Sequence, residues 1–317
     1  MKKKIFIDGS AGTTGLDIVR RISARTDIEL MTLPEEKRKD IEARREAINN
    51  ADIAFLCLPD AAAIESAGLV ENDKTVLLDT STAHRTDPLW AYGFPELSNE
   101  FFEKIKNSKR IAVPGCHASG FIALVYPLVE SGLIDKSEKL TCFSLTGYSG
   151  GGKKMIAEYE SETRDPLFGA PRQYGIAQTH KHLPEMGAVT GLENSPVFCP
   201  IVADFYSGME VTVPIFASSL LGGATADDIK KIYEKKYRGP VVNFVSDASE
   251  NGFLSAAKFS GTDKMEISVH GNADRILLTA RYDNLGKGAC GAAIECLNIV
   301  LGSSLTEGMN LPFLEER

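Results

Sequence analysis

The sequence predicts an α/β protein in which a doubly wound parallel sheet is followed by an α+β domain. Three observations support this prediction. Short buried strand patterns alternate with helix patterns over about the first third of the chain. After Cys116 the segments become longer and more alternating, as in "KMEISVHG" and "RILLTARYD", which is typical of an antiparallel or mixed sheet. The apolar and charged fractions of the 317 residues are ordinary, so the chain can bury a full core and form two domains.

Each element of the first domain follows from its own pattern. Apolar runs bounded by Asp, Pro or Lys predict strands at Lys3–Asp8, Ile28–Leu33, Asp52–Leu58, Thr75–Asp79 and Arg110–Val113. Helical periodicity predicts helices at Gly15–Ala24, Ala61–Val70 and, after the domain boundary, Ser119–Ser131. The charged stretch Glu35–Asn49 predicts a solvated helix.

The C-terminal part predicts a return to the first domain. Ala289–Leu301 is helical in pattern and rich in small residues, so we expect it to pack against the first sheet. The resulting expectation is a first domain over residues 1–115, a second over 116–285 and a C-terminal segment over 286–317 that packs on the first.

Charge and cysteine usage narrow the class of protein. The net charge is −8 and the acidic residues are scattered, which argues against nucleic acid or an anionic membrane surface as a partner. No apolar run approaches the roughly 20 residues of a membrane span, and the basic start is too short for a signal peptide. The six cysteines show no CxxC spacing, which predicts a reduced, cytoplasmic protein without disulfides or a zinc site.

A glycine-rich loop follows the first strand. The run "IFIDGSAGTTGLDIV" places Gly9, Gly12 and Gly15 between strand and helix, with the spacing GxxGxxG rather than GxGxxG. Bare backbone N–H groups at a helix start form an anion site suited to a pyrophosphate. We therefore expect Gly9, Gly12, Thr13, Thr14 and Gly15 to bind a dinucleotide.

The second strand favours NADP over NAD. It ends at Met31-Thr32-Leu33-Pro34, without the acidic residue that would bind a ribose diol. Lys37, Arg38 and Lys39 follow, although Glu35 and Glu36 lie among them. Each basic residue fits solvation of a helix as well as it fits a 2′-phosphate.

One cysteine has the setting of a nucleophile. In "RIAVPGCHASGFIAL", Cys116 follows a Pro-Gly break and begins a helix. A helix N-terminus stabilises a thiolate, and a strand-to-helix corner exposes the side chain. The alternative is that Cys116 packs as a small hydrophobe, as we expect of the other cysteines.

Two histidines are candidates for acid–base chemistry. "AQTHKHLPEMG" places His180 and His182 before a helix start, and in extended backbone both would point to one side. One could act as acid/base and the other as a substrate ligand, with Glu185 orienting either. We expect the His117 side chain to point away from the thiol, and His84 and His270 to be structural.

These residues give the chain a resemblance to a known family. It resembles the N-acetyl-gamma-glutamyl-phosphate reductases of arginine biosynthesis, in their shorter form. The matching pieces come in the expected order and span nearly the whole chain: "GSAGTTGLDIVRRI", "LCLPD", "LDTSTAHR", "VPGCHASG", "GYSGGGKKM", "THKHLPEM", "FYSGMEVTVPI" and "DNLGKGACGAAIECLN". "PGCHASG" and "HKHLPEM" are the specific ones.

The resemblance implies a fold and a reaction. The fold would be that of the semialdehyde dehydrogenases, a Rossmann domain joined to an α+β catalytic and dimerisation domain, in a homodimer or homotetramer. The reaction would be NADPH-dependent reduction of a small-molecule acyl phosphate. The Cys116 thiolate would expel phosphate to form a thioester, and reduction would give N-acetylglutamate 5-semialdehyde, with His182 or His180 moving the proton.

Further site residues are expected around the substrate and cofactor. Arg85, Lys153 and Arg110 are candidate ligands for the phosphate and carboxylate groups. The resemblance implies that the loops carrying Ser81 and Lys153 surround the cleft and that Asn284 contacts the nicotinamide carboxamide. From its position alone, Asn284 could equally cap the last helix.

Asp8 stands where the family more often has a neutral residue, which leaves the 2′-phosphate contacts unassigned.

Three rival interpretations of the function stay open. An aspartate-semialdehyde dehydrogenase shares the chemistry but differs in the context of its cysteine. A cysteine acyl hydrolase would leave the glycine loop unexplained, and a non-catalytic NADP sensor would leave Cys116 and the histidine pair idle.

Overall fold

Strands alternate with helices through the first 115 residues of the computed structural model, which describes residues 2–312. The elements of this part are β1 (Lys3–Asp8), α1 (Thr13–Ser23), β2 (Ile28–Met31), α2 (Ile41–Asn50), β3 (Ile53–Leu56), α3 (Asp60–Ala67), β4 (Val76–Asp79), β5 (Ala91–Tyr92), α4 (Asn99–Asn107) and β6 (Arg110–Ala112).

The rest of the chain is richer in long strands. Its elements are α5 (Cys116–Glu130), β7 (Thr141–Gly147), α6 (Gly152–Glu160), β8 (Arg172–Gln173), α7 (Leu183–Thr190), β9 (Val197–Ala203), β10 (Met209–Phe216), α8 (Ala226–Lys236), β11 (Val242–Phe244), β12 (Met265–Gly271), β13 (Arg275–Tyr282) and α9 (Gly291–Leu301). A π-helical turn, Gly286–Cys290, leads into α9. None of the helices within residues 2–312 has the length and apolar character that a membrane span requires.

The first sheet is parallel throughout and covered on both faces. Its strand order is β2-β1-β3-β4-β6-β5. Alternate residues of β1 point to opposite faces, so Ile5 and Ile7 join a core with α1, α4 and α9, whereas Phe6 joins one with α2 and α3. The predicted doubly wound sheet is confirmed.

Helix α9 belongs to the core of the first unit. Ala292, Ile294 and Leu297 are buried in the same cluster as Ile18 and Ile22 of α1. The prediction that the C-terminal helix returns to the first domain is therefore confirmed. The first compact unit runs to Pro95 and adds residues 99–115 and 289–309. It differs from the expected ranges because residues 96–98 and 286–288 belong to the second unit.

The second unit is built on a mixed seven-stranded sheet. Its strand order is β11-β12-β13-β10-β7-β9-β8, in which only the pairs β11/β12 and β7/β9 are parallel. One face, which carries Val211, Val213, Leu278 and Ala280, is buried, and helix α5 packs against β10 and β13. The other face keeps several apolar side chains exposed, namely Phe143, Val197, Phe216 and Leu277.

One predicted element was wrong. Glu35–Asn49 is not a single solvated helix, because a 3-10 turn at Glu35–Lys37 is separated from α2 by Asp40. The Asp40 carboxylate accepts a hydrogen bond from the Ala43 N–H at 2.7 Å and so starts a new helix there. Ala47 and Ile48 of α2 are buried. Two adjacent apolar residues in a run of charged ones do not form a recognisable helical period, so the sequence did not reveal this buried side.

Candidate functional site

The glycine loop after β1 has a shape that only glycine can take. Gly9 has φ +83°, and a Cβ there would lie 2.2 Å from the Cys57 carbonyl oxygen. A Cβ on Gly15 would lie 2.5 Å from the Gly9 carbonyl oxygen. The turn closes with a hydrogen bond from the Gly12 N–H to the Gly9 carbonyl at 3.0 Å. The loop therefore brings bare backbone to the end of the first strand.

The start of α1 is suited to an anion. Its N-cap is Gly12, and no described side chain accepts a hydrogen bond as its cap. Its first turn holds Thr13, Thr14 and Gly15 and contains no acidic residue. The N–H groups of a helix start carry a partial positive charge, so this turn fits a pyrophosphate group. The structure thus brings together all five residues expected to bind a dinucleotide.

Asp8 is turned away from this loop. Its carboxylate is buried and accepts hydrogen bonds from Arg44 at 3.0 Å and from the Ser66 hydroxyl at 2.7 Å. Arg44 also pairs with Glu65 at 2.9 Å, which ties α2 to α3. The acidic residue that departs from the family pattern is therefore paired inside the first unit, which fits a structural role.

The segment after β2 presents three cations. Lys37, Arg38 and Lys39 are exposed, and none of them enters an ion pair with any residue between 2 and 312. Thr32 directly follows the strand and is exposed as well. This arrangement leaves basic groups at the edge where a ribose would be bound.

Ser81 lies at the same carboxyl edge of the first sheet. β4 is joined to β1 through β3, and Asp8, Leu56 and Asp79 are aligned across the three strands. The Ser81 hydroxyl donates to Asp79 at 2.8 Å. His84 binds the same carboxylate through Nδ1 at 2.6 Å and stacks on Trp90, in keeping with a structural role.

Two of the predicted cationic ligands donate hydrogen bonds to backbone carbonyl oxygens. Arg85 is buried and donates to the carbonyl oxygens of Val113 at 2.8 Å and Thr80 at 2.9 Å. Arg110 is the first residue of β6, at the opposite edge of the sheet from the glycine loop, and donates to the carbonyl oxygens of Thr75 and Lys109. The structure does not bring Arg110 to the carboxyl edge, because Arg110 lies at the amino end of β6 and all strands of this sheet run in the same direction.

Cys116 is the first residue of α5, in the second unit. The Tyr282 hydroxyl donates to the Cys116 carbonyl at 2.5 Å and accepts from the Gly120 N–H at 3.0 Å, which fixes the first turn. Gly288 packs so closely that a Cβ there would lie 3.0 Å from the Cys116 Cβ. Cys116 itself stays partly exposed, so its thiol combines access with the favourable field of a helix start.

His180 and His182 lie together, as expected, but for a different reason. Their ring centroids are 4.8 Å apart and nearly perpendicular. The backbone is a turn rather than a strand, because His182 has helical dihedral angles as the N-cap of α7 and its N–H donates to His180 Nδ1 at 3.2 Å. Burial, helped by Lys181, lowers the pKa of His180, which keeps its imidazole neutral near pH 7.

His117 lies among the other histidines, a neighbourhood that the sequence did not predict. Its ring lies 5.6 Å from the rings of both His180 and His182. The first turn of α5 faces the buried side of the sheet, and His117 is only 3% exposed. Burial, with a contribution from His180, lowers its pKa to about 3. The apolar and small residues that follow His117 predict a helix buried on all sides, and this was the signal that could have found it.

Three further predicted residues are placed in the second unit. Glu185 is buried in the first turn of α7, three residues after His182. Lys153 is exposed in the first turn of α6. Asn284 is buried; its amide accepts from the Gly208 N–H and donates to the Ser149 hydroxyl, both at 2.9 Å. It does not cap the last helix, because Asp283 accepts the bonds from the Leu285 and Gly286 N–H groups.

Comparison with known proteins gives matches over both units. Residues 4–105 match the family model described as "Semialdehyde dehydrogenase, NAD binding domain", and residues 116–284 match "Semialdehyde dehydrogenase, dimerisation domain". The N-acetyl-gamma-glutamyl-phosphate reductase of Rhizobium meliloti is 41% identical over 310 residues, covering 96% of this chain and 100% of that protein. The protein of the same name from Trichormus variabilis is 42% identical over 318 residues, covering 95% and 97%.

Solved structures with similar folds are more distant in sequence. Aspartate semialdehyde dehydrogenase II from Vibrio cholerae aligns with a TM-score of 0.72 and 15% identity, covering 95% of this chain and 99% of that one. Aspartate semialdehyde dehydrogenase with NADP from Candida albicans aligns with a TM-score of 0.68 and 14% identity, covering 96% and 99%. At this level of identity the likeness concerns the fold.

Proposed function

Because the chain belongs to the family of N-acetyl-gamma-glutamyl-phosphate reductases, we propose that it performs their reaction through Cys116. The substrate is N-acetyl-gamma-glutamyl phosphate and the products are N-acetylglutamate 5-semialdehyde and phosphate. The observation that carries this proposal is a partly exposed thiol on the first turn of a helix whose next residue, His117, has its ring 5.6 Å from the rings of His180 and His182. That arrangement suits formation and breakdown of a thioester.

The first step is attack by the thiolate. The start of α5 stabilises negative charge on the Cys116 sulfur, and the bonds through Tyr282 keep the turn rigid. The sulfur attacks the γ-carbonyl carbon, the C–O bond to phosphate breaks, and phosphate leaves with the electron pair. A thioester on Cys116 remains.

The second step needs a proton at the former carbonyl oxygen. His182 or His180 donates this proton as the thioester is reduced and takes it back as the hemithiacetal releases the aldehyde and the thiolate. We favour His182 because it is the N-cap of α7, with Glu185 in the same first turn. His180 then serves as a ligand for the substrate.

The cofactor is a nicotinamide dinucleotide, for which the chain carries a matching domain. The turn formed by Gly9, Gly12 and Gly15 and the start of α1 suits its pyrophosphate. When bound, the reduced nicotinamide supplies the hydride that the thioester accepts. We propose NADPH rather than NADH, supported by Thr32 and the unpaired cations Lys37, Arg38 and Lys39 among the described residues. Ser81 and Asn284 are proposed as further cofactor contacts.

A basic group is needed for the anionic substrate. Lys153 is the best placed of the three predicted cations, because it is exposed at a helix start and forms no ion pair within residues 2–312. Arg85 is already hydrogen-bonded to two carbonyl oxygens, which suits a loop-holding role. Arg110 at the far edge of its sheet has no geometrical support as a ligand.

We also propose that the protein is a cytoplasmic homo-oligomer, a dimer or tetramer. The second unit matches a dimerisation domain, and one face of its sheet exposes Phe143, Val197, Phe216 and Leu277. An exposed apolar set on one sheet face is typical of a protein interface.

The test runs the reaction in reverse. The protein is incubated with N-acetylglutamate 5-semialdehyde, phosphate and NADP⁺, and the absorbance of NADPH is followed. We expect NADPH to form only when phosphate is present and Cys116 is intact. Aspartate semialdehyde in place of the first substrate should give little signal. No NADPH from the acetylated substrate, or faster turnover of aspartate semialdehyde, would overturn the proposal.

A further inference from the structure

The histidine pair lies in a turn that leaves the edge of the second sheet. β8 pairs with β9, and the Tyr174 N–H continues this ladder with a hydrogen bond to the Pro200 carbonyl at 3.0 Å. The chain then turns away at Gly175, whose φ is +61°. A Cβ on Gly175 would lie 3.2 Å from the Pro200 ring and 3.9 Å from the His180 ring, so the turn packs closely on the strand that it leaves. We call residues 175–182 the histidine turn.

A glutamine side chain continues the ladder where the strand has ended. Phe198 lies two positions before Pro200 on β9, so its N–H and carbonyl face the same edge of the strand. The Gln178 amide donates from Nε2 to the Phe198 carbonyl at 2.7 Å, and its Oε1 accepts from the Phe198 N–H at 2.9 Å. A residue of an antiparallel strand exchanges this same pair of bonds with its partner. Gln178 therefore clamps the histidine turn to β9 through its side chain.

Gln178 holds this position in a strained backbone conformation. Its φ is +55°, in the left-handed region that residues other than glycine seldom adopt. The Gln178 N–H donates to the Gly175 carbonyl at 3.0 Å, which closes the turn. Strained conformations persist where surrounding contacts fix them, and they cluster at functional sites. The two amide bonds to Phe198 are contacts of this kind.

Phe198 connects this clamp to His180. Phe198 is 1% exposed, and its ring centroid lies 5.1 Å from that of His180 and 5.4 Å from that of His117. Gln178 thus binds the backbone of the residue on whose ring His180 packs, and it precedes His180 by two positions. Loss of the clamp should therefore displace His180.

The histidine turn also decides which nitrogen of His180 carries the proton. The His182 N–H donates to His180 Nδ1 at 3.2 Å, so Nδ1 is the acceptor of the ring. A neutral imidazole has one donor and one acceptor nitrogen, which places the proton on Nε2. The Leu183 N–H donates to the His180 carbonyl at 3.0 Å and holds the end of the same turn. His180 therefore presents an N–H group, which suits an acceptor oxygen on a ligand.

We propose that Gln178 is a positioning residue that clamps the histidine turn to β9 and so presents the His180 Nε2–H as a hydrogen-bond donor to an oxygen of the substrate. The purpose of the clamp rests on the proposed function, in which His180 is a ligand for the substrate. The hydrogen bonds of the turn can be measured without substrate. Failure of this inference and failure of the proposed reductase activity are therefore distinguishable.

The first experiment tests whether Gln178 acts through His180. Gln178→Met keeps the length of the side chain and removes both bonds to Phe198. In the NADP⁺-linked reaction we expect this variant to change the same constant as His180→Asn, raising KM by about tenfold with a smaller change in kcat. In the double variant it should add little to the effect of His180→Asn, because two changes to one contact are not additive. Effects that multiplied independently would overturn the proposal.

Two further variants separate the clamp from the backbone strain and from a general effect of substitution. Gln178→Gly relieves the positive φ and also removes the clamp, so it should raise KM as Gln178→Met does. Native kinetics in Gln178→Gly would show that the clamp is not needed. Gln173→Met is the matched control, because it replaces an exposed glutamine on β8 in the same segment. It should leave both kinetic constants unchanged.

A second measurement needs no activity. Amide hydrogen exchange of His182 reports its bond to His180, and long-range ¹H–¹⁵N correlation spectra at pH 8 report the tautomer of His180. We expect the His182 amide to exchange at least about tenfold faster in Gln178→Met than in the native protein, as when a local opening becomes easier. We expect native His180 to be the Nε2–H tautomer. An unchanged exchange rate in folded Gln178→Met would overturn the proposal, and so would a Nδ1–H tautomer in the native protein, which needs no variant that folds.

Discussion

Cys116 combines partial exposure with a helix start, which none of the other five cysteines does. Burial raises the pKa of Cys57 to about 12, and burial raises the pKa of Cys142 as well. Cys290 and Cys296 are buried in the first unit. We expect iodoacetamide at neutral pH to label Cys116 first and to abolish activity, with prior substrate protecting the thiol, because only a thiolate reacts quickly.

Two variants test the assignment of the nucleophile. Cys116→Ser should fold and lose at least about a thousandfold in kcat, because a nucleophile of a thioester mechanism has no substitute. Cys142→Ala should keep most of its activity, since that thiol only packs. If Cys57→Ala or Cys142→Ala proved as damaging as Cys116→Ser in a folded protein, Cys116 would not be the single essential thiol.

Replacing His180 and replacing His182 should have different kinetic effects. We expect His182→Asn to lower kcat by roughly 10²–10⁴-fold, as for a lost acid/base group, and His180→Asn to raise mainly KM. Steady-state kinetics of both variants decide between them. The reverse pattern would exchange the two roles, and full activity in both would remove the pair from the mechanism.

At the scale of elements, the segment between β2 and α2 should set cofactor preference. We expect the Kd of NADH to exceed that of NADPH by at least about tenfold, or ~1.4 kcal/mol. Replacing Lys37, Arg38 and Lys39 together by Gln should raise the Kd of NADPH by a similar factor and leave the Kd of NADH unchanged, because only NADPH carries the 2′-phosphate. Fluorescence titration measures both constants.

Lys235→Gln is the matched control for that experiment. Lys235 is an exposed cation on α8, in the other unit. Its loss changes the net charge without touching the segment after β2, so both affinities should stay the same. Equal affinity of the native protein for NADPH and NADH would refute the proposed preference.

At the scale of the whole molecule, His117 should make stability depend on pH. Its pKa is about 3 when folded and about 6.5 when unfolded, so below pH 6.5 the unfolded chain binds a proton that the folded one does not. The stability contributed by the neutral ring is complete above pH 6.5 and is lost as the pH falls toward 3. Urea unfolding of native protein and His117→Gln between pH 7 and 5 should show the steeper loss in the native protein. Equal slopes would mean that His117 is protonated inside the fold.

Assembly is expected to depend on the exposed sheet face. Phe143→Glu should shift the oligomer toward monomer, because a charge in a buried apolar interface is costly. Leu89→Glu, which charges an exposed loop of the first unit, is the matched control. Sedimentation velocity measures both. An unchanged oligomer in Phe143→Glu would place the interface elsewhere.

The order of most elements and the helix start at Cys116 could be predicted from the sequence because both depend on local pattern. Apolar runs such as Ile53–Leu56 predict a strand, and the φ of +83° at Gly9 is a turn conformation that favours glycine by local preference. The helix start at Cys116 likewise follows from the Pro-Gly break before it. The positions of His117, Tyr174 and Ser144 relative to one another could not be predicted in this way.

What only the tertiary structure decided is which side chains meet. His117 reaches Tyr174 across 57 positions and Ser144 across 27, and Arg110 is separated from the carboxyl edge by the direction of its strand. Such meetings depend on sheet register and on which face of α5 is buried, and these result from the packing of the whole second unit rather than from any one segment. The sequence by itself determined most of the elements, the glycine turn after the first strand and the helix start at Cys116, because each depends on neighbours along the chain. The side chains that gather around His117 were decided by contacts between residues far apart in it.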